Sequence, residues 1–119
     1  MPLTAHGKAM LAHIGGILHD LRFDVPSDGF HAREGQLRLR LSDQDSCLDE
    51  PTVTVFDLTV HNVVSIEVEG RPERDPGEDM FNEFAFDAKR HILALKCCMA
   101  IKRIKCSVEH LHVELEQVI

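Results

Sequence analysis

The sequence contains no tryptophan and no tyrosine, and only six phenylalanines among 119 residues. Stacking platforms for single-stranded nucleic acid or sugar are therefore poorly supplied. Positive charge is also short: 13 Lys and Arg stand against 20 Asp and Glu, a formal net charge of −7. A phosphate-backbone binder would present a basic surface, so no nucleic-acid partner is expected. No stretch approaches the ~18 uninterrupted apolar residues of a membrane-spanning helix, so no membrane partner is expected either. After Lys8 the run AMLAHIGGIL faintly resembles a signal peptide, but His13 interrupts it and two glycines loosen it. The chain is read as cytoplasmic. Its four cysteines, Cys47, Cys97, Cys98 and Cys106, lack CxxC spacing. They read as reduced thiols acting as small buried apolar groups. Lys8 follows Gly7 without the other residues of a phosphate loop. No cofactor is expected.

What is present is alternation. At 44% apolar and 28% charged residues, the chain has the composition of one globular domain, residues 1–119, large enough to bury its own core. Residues 1–14 read as a short helix capped by Thr4 and ended by Gly15-Gly16, with 1–16 as helix and lead-in and 17–117 as a β-sandwich. In 17–25, Leu21, Phe23 and Val25 share one face. In 36–41, Leu37, Leu39 and Leu41 face in while Arg38 and Arg40 face out, and the two strands are expected to form a hairpin. Residues 52–69 are too long for one strand, and Asn62 places a corner at 61–63. Loops are expected at 42–50 and 70–79, and a short strand at 81–86. From His91 onward, Leu93, Leu95 and Cys97 form one alternating set, then Ile104, Cys106 and Val108. Leu111, Val113 and Leu115 follow with reversed parity, which predicts a β-bulge at Glu109-His110. A helix over 88–103 competes with the strand reading, which the hairpin favours. The predicted fold is all-β: a single-domain antiparallel two-sheet sandwich, or partly open barrel, with a short N-terminal helix.

With the strands laid out, Leu18-His19-Asp20 precedes the first, LRLRL follows, then LTVHNVVSIEVE, FAFD and a closing LHVELE. Over residues 17–116 this pattern resembles small, poorly characterised bacterial β-sandwich families, some grouped with immunity proteins of toxin systems. The resemblance implies a two-sheet fold and no enzyme activity, and it carries no catalytic residues to transfer. The N-terminal helix and the cysteine cluster lie outside the pattern.

His110 and His112 are the sharpest candidate site. Two apart on a strand, their imidazoles would share a face and could grip one metal ion, with Glu114 continuing that face. The plain alternative is a solvated strand face, and a metal would need further ligands from His19, His61 or His91. His19 and Asp20, adjacent on a strand, would point to opposite faces and not pair. Cys97 or Cys98 beside Lys96, Lys102 and Arg103 has the makings of an activated thiol, set against the commoner buried cysteine. The acidic loops 43–50 and 73–79 could hold calcium only by converging. The cationic stretch Lys96, Lys102, Arg103 and Lys105 could dock an acidic partner or guard an edge strand. The expected function is a small non-enzymatic binding or interaction protein, of immunity type by resemblance, with a protein partner or self-association. The alternatives are a metal- or small-molecule-binding sandwich using surface histidines, then a metal-assisted hydrolase.

Overall fold

The computed structural model describes residues 2–26, 28–43, 54–70 and 78–119. Within them the chain runs β1 (Leu3–Ala5), α1 (Lys8–Leu18), β2 (Arg22–Asp24), β3 (Leu37–Asp43), β4 (Thr54–Val60), β5 (Val63–Gly70), β6 (Glu78–Asp87), β7 (Ile92–Cys97), β8 (Ile101–Val108) and β9 (Val113–Gln117). All nine strands join one antiparallel sheet in the order β1-β9-β4-β3-β2-β6-β7-β8-β5. Among the described residues the sheet does not close, and β1 and β5 are its edges. The mostly-β architecture with one short helix is as expected. The strands expected in two sheets are hydrogen-bonded into one, because β2 pairs with both β3 and β6 and so bridges the two halves.

Alternation places the core correctly over most of the chain. Leu37, Leu39 and Leu41 are buried, and so are Leu93, Leu95, Ile104, Cys106, Val108, Val113 and Leu115. Residues 88–103 form the hairpin of β7 and β8 and not a helix. The corner falls at Asn62, which holds a left-handed φ of 59°, a conformation Asn tolerates better than most residues. Two backbone bonds carry the ladder round it: His61 N–H donates to His112 O at 2.9 Å, and Glu109 N–H donates to Asn62 O at 2.9 Å. β4 and β5 thus turn together with β9 and β8. The parity reversal after Val108 comes from this shared corner, with β8 and β9 as separate strands. The bulge itself sits on the facing strand, where the register shifts between Val63 and Ser65.

The N-terminus departs from expectation. Leu3–Ala5 pairs with β9, Leu3 opposite Leu115, and the helix starts after Gly7, which makes no side-chain cap. The helix runs through Gly15-Gly16 to Leu18. Leu11, Ile14, Gly15 and Leu18 form its buried stripe, so tertiary packing on a helical period overrides two weak helix formers. A Cβ on Gly15 would come within 3.3 Å of Phe84 Cδ2. This glycine permits close approach of helix to sheet and does not end the helix. The strand expected over 17–25 shrinks to Arg22–Asp24, and the 16/17 boundary falls inside the helix. The loops 42–50 and 70–79 lie mostly outside the described residues.

Asp79 was expected in a solvated loop and is instead buried within β6. Its Oδ1 accepts from the N–H of Met80 (2.8 Å) and Met99 (3.0 Å), and its Oδ2 from the N–H of Ile101 (2.8 Å). One carboxylate therefore ties β6 to the tight connection between β7 and β8, satisfying donors that the turn leaves without strand partners.

Candidate functional site

Strand register builds the site. Ala5 faces Val113, Val113 faces Val60, and Val60 faces Leu37, all four buried. One residue further along each strand, side chains emerge on the opposite face. That next row is His6, His112, His61 and Gln36. The imidazoles meet accordingly: His61 and His112 stack with ring centroids 4.3 Å apart at 30°, and His6 lies tilted against His112, 4.5 Å apart at 40°. Glu114, two residues beyond His112 on β9, shares its face. Glu114 Oε1 lies 3.5 Å from His61 Nε2 and 3.5 Å from His112 Nε2. One ligand atom from each of His61, His112 and Glu114 lies within 4.8 Å of the others.

His61 Nε2 is buried and has no hydrogen-bond partner among the described residues. Its other nitrogen, Nδ1, lies 3.2 Å from Gln36 Nε2. The Gln36 carbonyl is already engaged, accepting from Arg38 Nε at 3.2 Å and Nη2 at 2.9 Å. That orients the amide so that it donates to Nδ1, which places the neutral imidazole's proton on Nε2, facing Glu114. Burial first, then the neighbouring His61 and His6, lowers the His112 pKa below its ordinary 6.5, and Glu114 opposes this shift. The neutral imidazole that a metal requires is thereby favoured. His61 and Glu114 line a groove of about 510 Å³ that also holds Arg38, Arg40, Asp57 and Glu116. Arg40 and Asp57 neutralise each other through paired bonds of 2.8 and 3.1 Å.

Of the predicted pair, His112 lies in the cluster and His110 does not. His110 is exposed in the bend before β9, where strand alternation no longer governs direction. Of the three reserve histidines, only His61 joins. His91 Nδ1 lies 3.2 Å from Glu109 O in a turn. His19 Nδ1 lies 2.9 Å from Asn82 O, and its Nε2 lies 3.5 Å from Asp20 Oδ1. The His19–Asp20 contact forms because Asp20 adopts φ 66°, outside any strand. His6 and Gln36 went unrecognised in the sequence. Their membership depends on the registers of β1 and β3, and a helix read over residues 1–14 hid the first.

Cys97 and Cys106 are not activated thiols. Cys106 is buried and Cys97 partly so. Burial pushes both pKa values up to about 12, aided at Cys97 by the charge of Asp79 and by Cys98. Cys98 is exposed, and Cys47 lies outside the described residues, as do most of both acidic loops considered for calcium. The cationic stretch is largely neutralised across the sheet. Lys96 pairs with Glu83 at 3.2 Å, Arg103 pairs with Glu69 at 2.9 Å, and Lys105 also pairs with Glu69.

No protein-family model, curated protein or solved structure matches the chain.

Proposed function

We propose that this is a non-enzymatic binding protein whose ligand is one divalent transition-metal ion, held by Nε2 of His61, Nε2 of His112 and a carboxylate oxygen of Glu114. The observation that carries the reading is the convergence of those three ligand atoms, one of them a buried imidazole nitrogen without a hydrogen-bond partner among the described residues. Two imidazoles and a carboxylate suit zinc, nickel, copper or iron better than calcium or magnesium. Binding requires the stacked rings to turn until their in-plane lone pairs converge. It also requires the His61 proton to move to Nδ1, and hence the Gln36 amide to reverse. His6, on the far side of His112, is the candidate fourth donor.

Elemental analysis and isothermal titration with zinc test this. One ion per chain is expected for the native protein, with loss of binding in Glu114→Gln and His112→Ala. Absence of binding by the native protein overturns the reading. The metal-assisted hydrolase alternative uses the same site and differs in requiring turnover of an ester or amide by the zinc-loaded protein.

The finer fold reading is a sandwich-like arrangement of the sheet's two halves. It is supported by one hydrophobic cluster that draws buried residues from β3, β4 and β9 and from β7 and β8.

A further inference from the structure

Arg38 reaches the candidate site through Gln36. Its Nε and Nη2, the two donors of one guanidinium edge, both donate to Gln36 Oε1, at 3.2 and 2.9 Å. Such an edge matches the two oxygens of a carboxylate, and here it is occupied by one neutral carbonyl. Arg38 is exposed. It faces Thr59 across the β3–β4 ladder and lines the same groove as Thr59, His61 and Glu114.

We propose that this groove takes a small carboxylate on Arg38, and that carboxylate and metal bind cooperatively because both act on one amide, that of Gln36. The proposal rests on the metal reading above. In the free protein Gln36 Nε2 donates to His61 Nδ1 while Oε1 accepts from Arg38. A metal on His61 Nε2 leaves the ring proton on Nδ1, so the amide turns its oxygen there. Its NH₂ then faces the Arg38 donors and cannot accept from them. The guanidinium edge is released, and a carboxylate supplies two acceptors in place of the lost carbonyl. Conversely, a carboxylate already on Arg38 removes the bonds that hold the amide in the orientation adverse to metal. Such coupling is reciprocal. Charge selects the anion. The groove lining sets Arg38 and Arg40 against Asp57, Glu114 and Glu116, one negative charge in excess. A divalent ion turns this into one positive charge, which a single carboxylate cancels. A doubly charged phosphate would reverse the sign again.

Zinc titration in sodium chloride and in sodium acetate of equal ionic strength, with free zinc corrected for acetate binding, tests this. The native chain is expected to bind one ion in both media, with a dissociation constant at least about fivefold lower in acetate, the lower end of ordinary coupling between sites. Arg38→Met keeps an unbranched stem and loses the fork; it should still bind zinc and lose the acetate effect. Gln36→Glu should bind zinc in both media with little acetate effect, because the glutamate accepts from His61 and Arg38 together and releases neither. Thermal melting checks that both variants stay folded. Zinc binding by the native chain without an acetate effect overturns the cooperative carboxylate and leaves the metal reading standing. So does an acetate effect of full size in either variant. Absence of zinc binding by the native chain in both media overturns the metal reading and this proposal together.

Discussion

The amide of Gln36 donates to Nδ1 of His61 at 3.2 Å, and that bond fixes which nitrogen of the half-buried imidazole carries its proton. A metal-ligating histidine normally donates its second N–H to an acceptor, and the free protein holds the reverse arrangement. In Gln36→Glu, the new carboxylate accepts from Nδ1, frees Nε2 and keeps Arg38 as its partner. Zinc affinity is expected to rise about 10- to 100-fold, the usual weight of such outer partners. Competition titration against a zinc-binding dye reads it. Unchanged or weaker affinity would place any bound metal away from His61 Nε2.

Asp79 anchors three backbone N–H groups from a site that is 1% exposed. Asp79→Asn retains one acceptor oxygen and presents an NH₂ where the other stood. A loss of about 2–4 kcal/mol is expected from unsatisfied buried donors. Chemical denaturation measures it, and a change under about 0.5 kcal/mol, the scale of ordinary surface substitutions, would contradict the staple role.

Arg40 donates two hydrogen bonds to Asp57 across the β3–β4 ladder, and this holds the Asp57 carboxyl below its ordinary pKa of 3.8. The folded state thus binds its proton more weakly than the unfolded chain does. The pair's contribution is full above pH 3.8 and is lost as pH falls through the lower, folded-state value. The pair is partly solvated, which keeps the contribution modest. Asp57→Asn should therefore flatten this part of the acid limb of a melting-temperature profile while costing a little stability at neutral pH.

Thiol labelling should separate the cysteines by burial. In a Cys47→Ser background, a disulfide reagent at neutral pH is expected to modify exposed Cys98 quickly. Cys97 and Cys106, with pKa values near 12, should react only on unfolding. Rapid modification of Cys106 in the native protein would contradict the core assignment.

Alternation exposed the second half of the fold in the sequence because β8 and β9 bury every other residue, or nearly so, and Asn62 marks the corner; β7 departs from it, burying Leu93, Ala94 and Leu95 in succession. The N-terminal third was less legible. Gly15-Gly16 reads as a helix stop, and its role as a seat for Phe84 depends on a contact 69 positions away, at 84 against 15. The site was half legible for a related reason. His112 and Glu114 are two apart at the start of β9, but His61, His6 and Gln36 join them through the registers of neighbouring strands, which periodicity within one strand does not specify. His110 looked equivalent to His112 because strand alternation was extended through a segment that bends.

The central claim is that His61, opposite His112 across the sheet, is a ligand and His110 is not. Zinc titration of the native chain, His61→Ala and His110→Ala, side by side at neutral pH, tests it most directly. One ion per chain is expected for the native protein and for His110→Ala, with binding abolished in His61→Ala. Retention in His61→Ala together with loss in His110→Ala would contradict it.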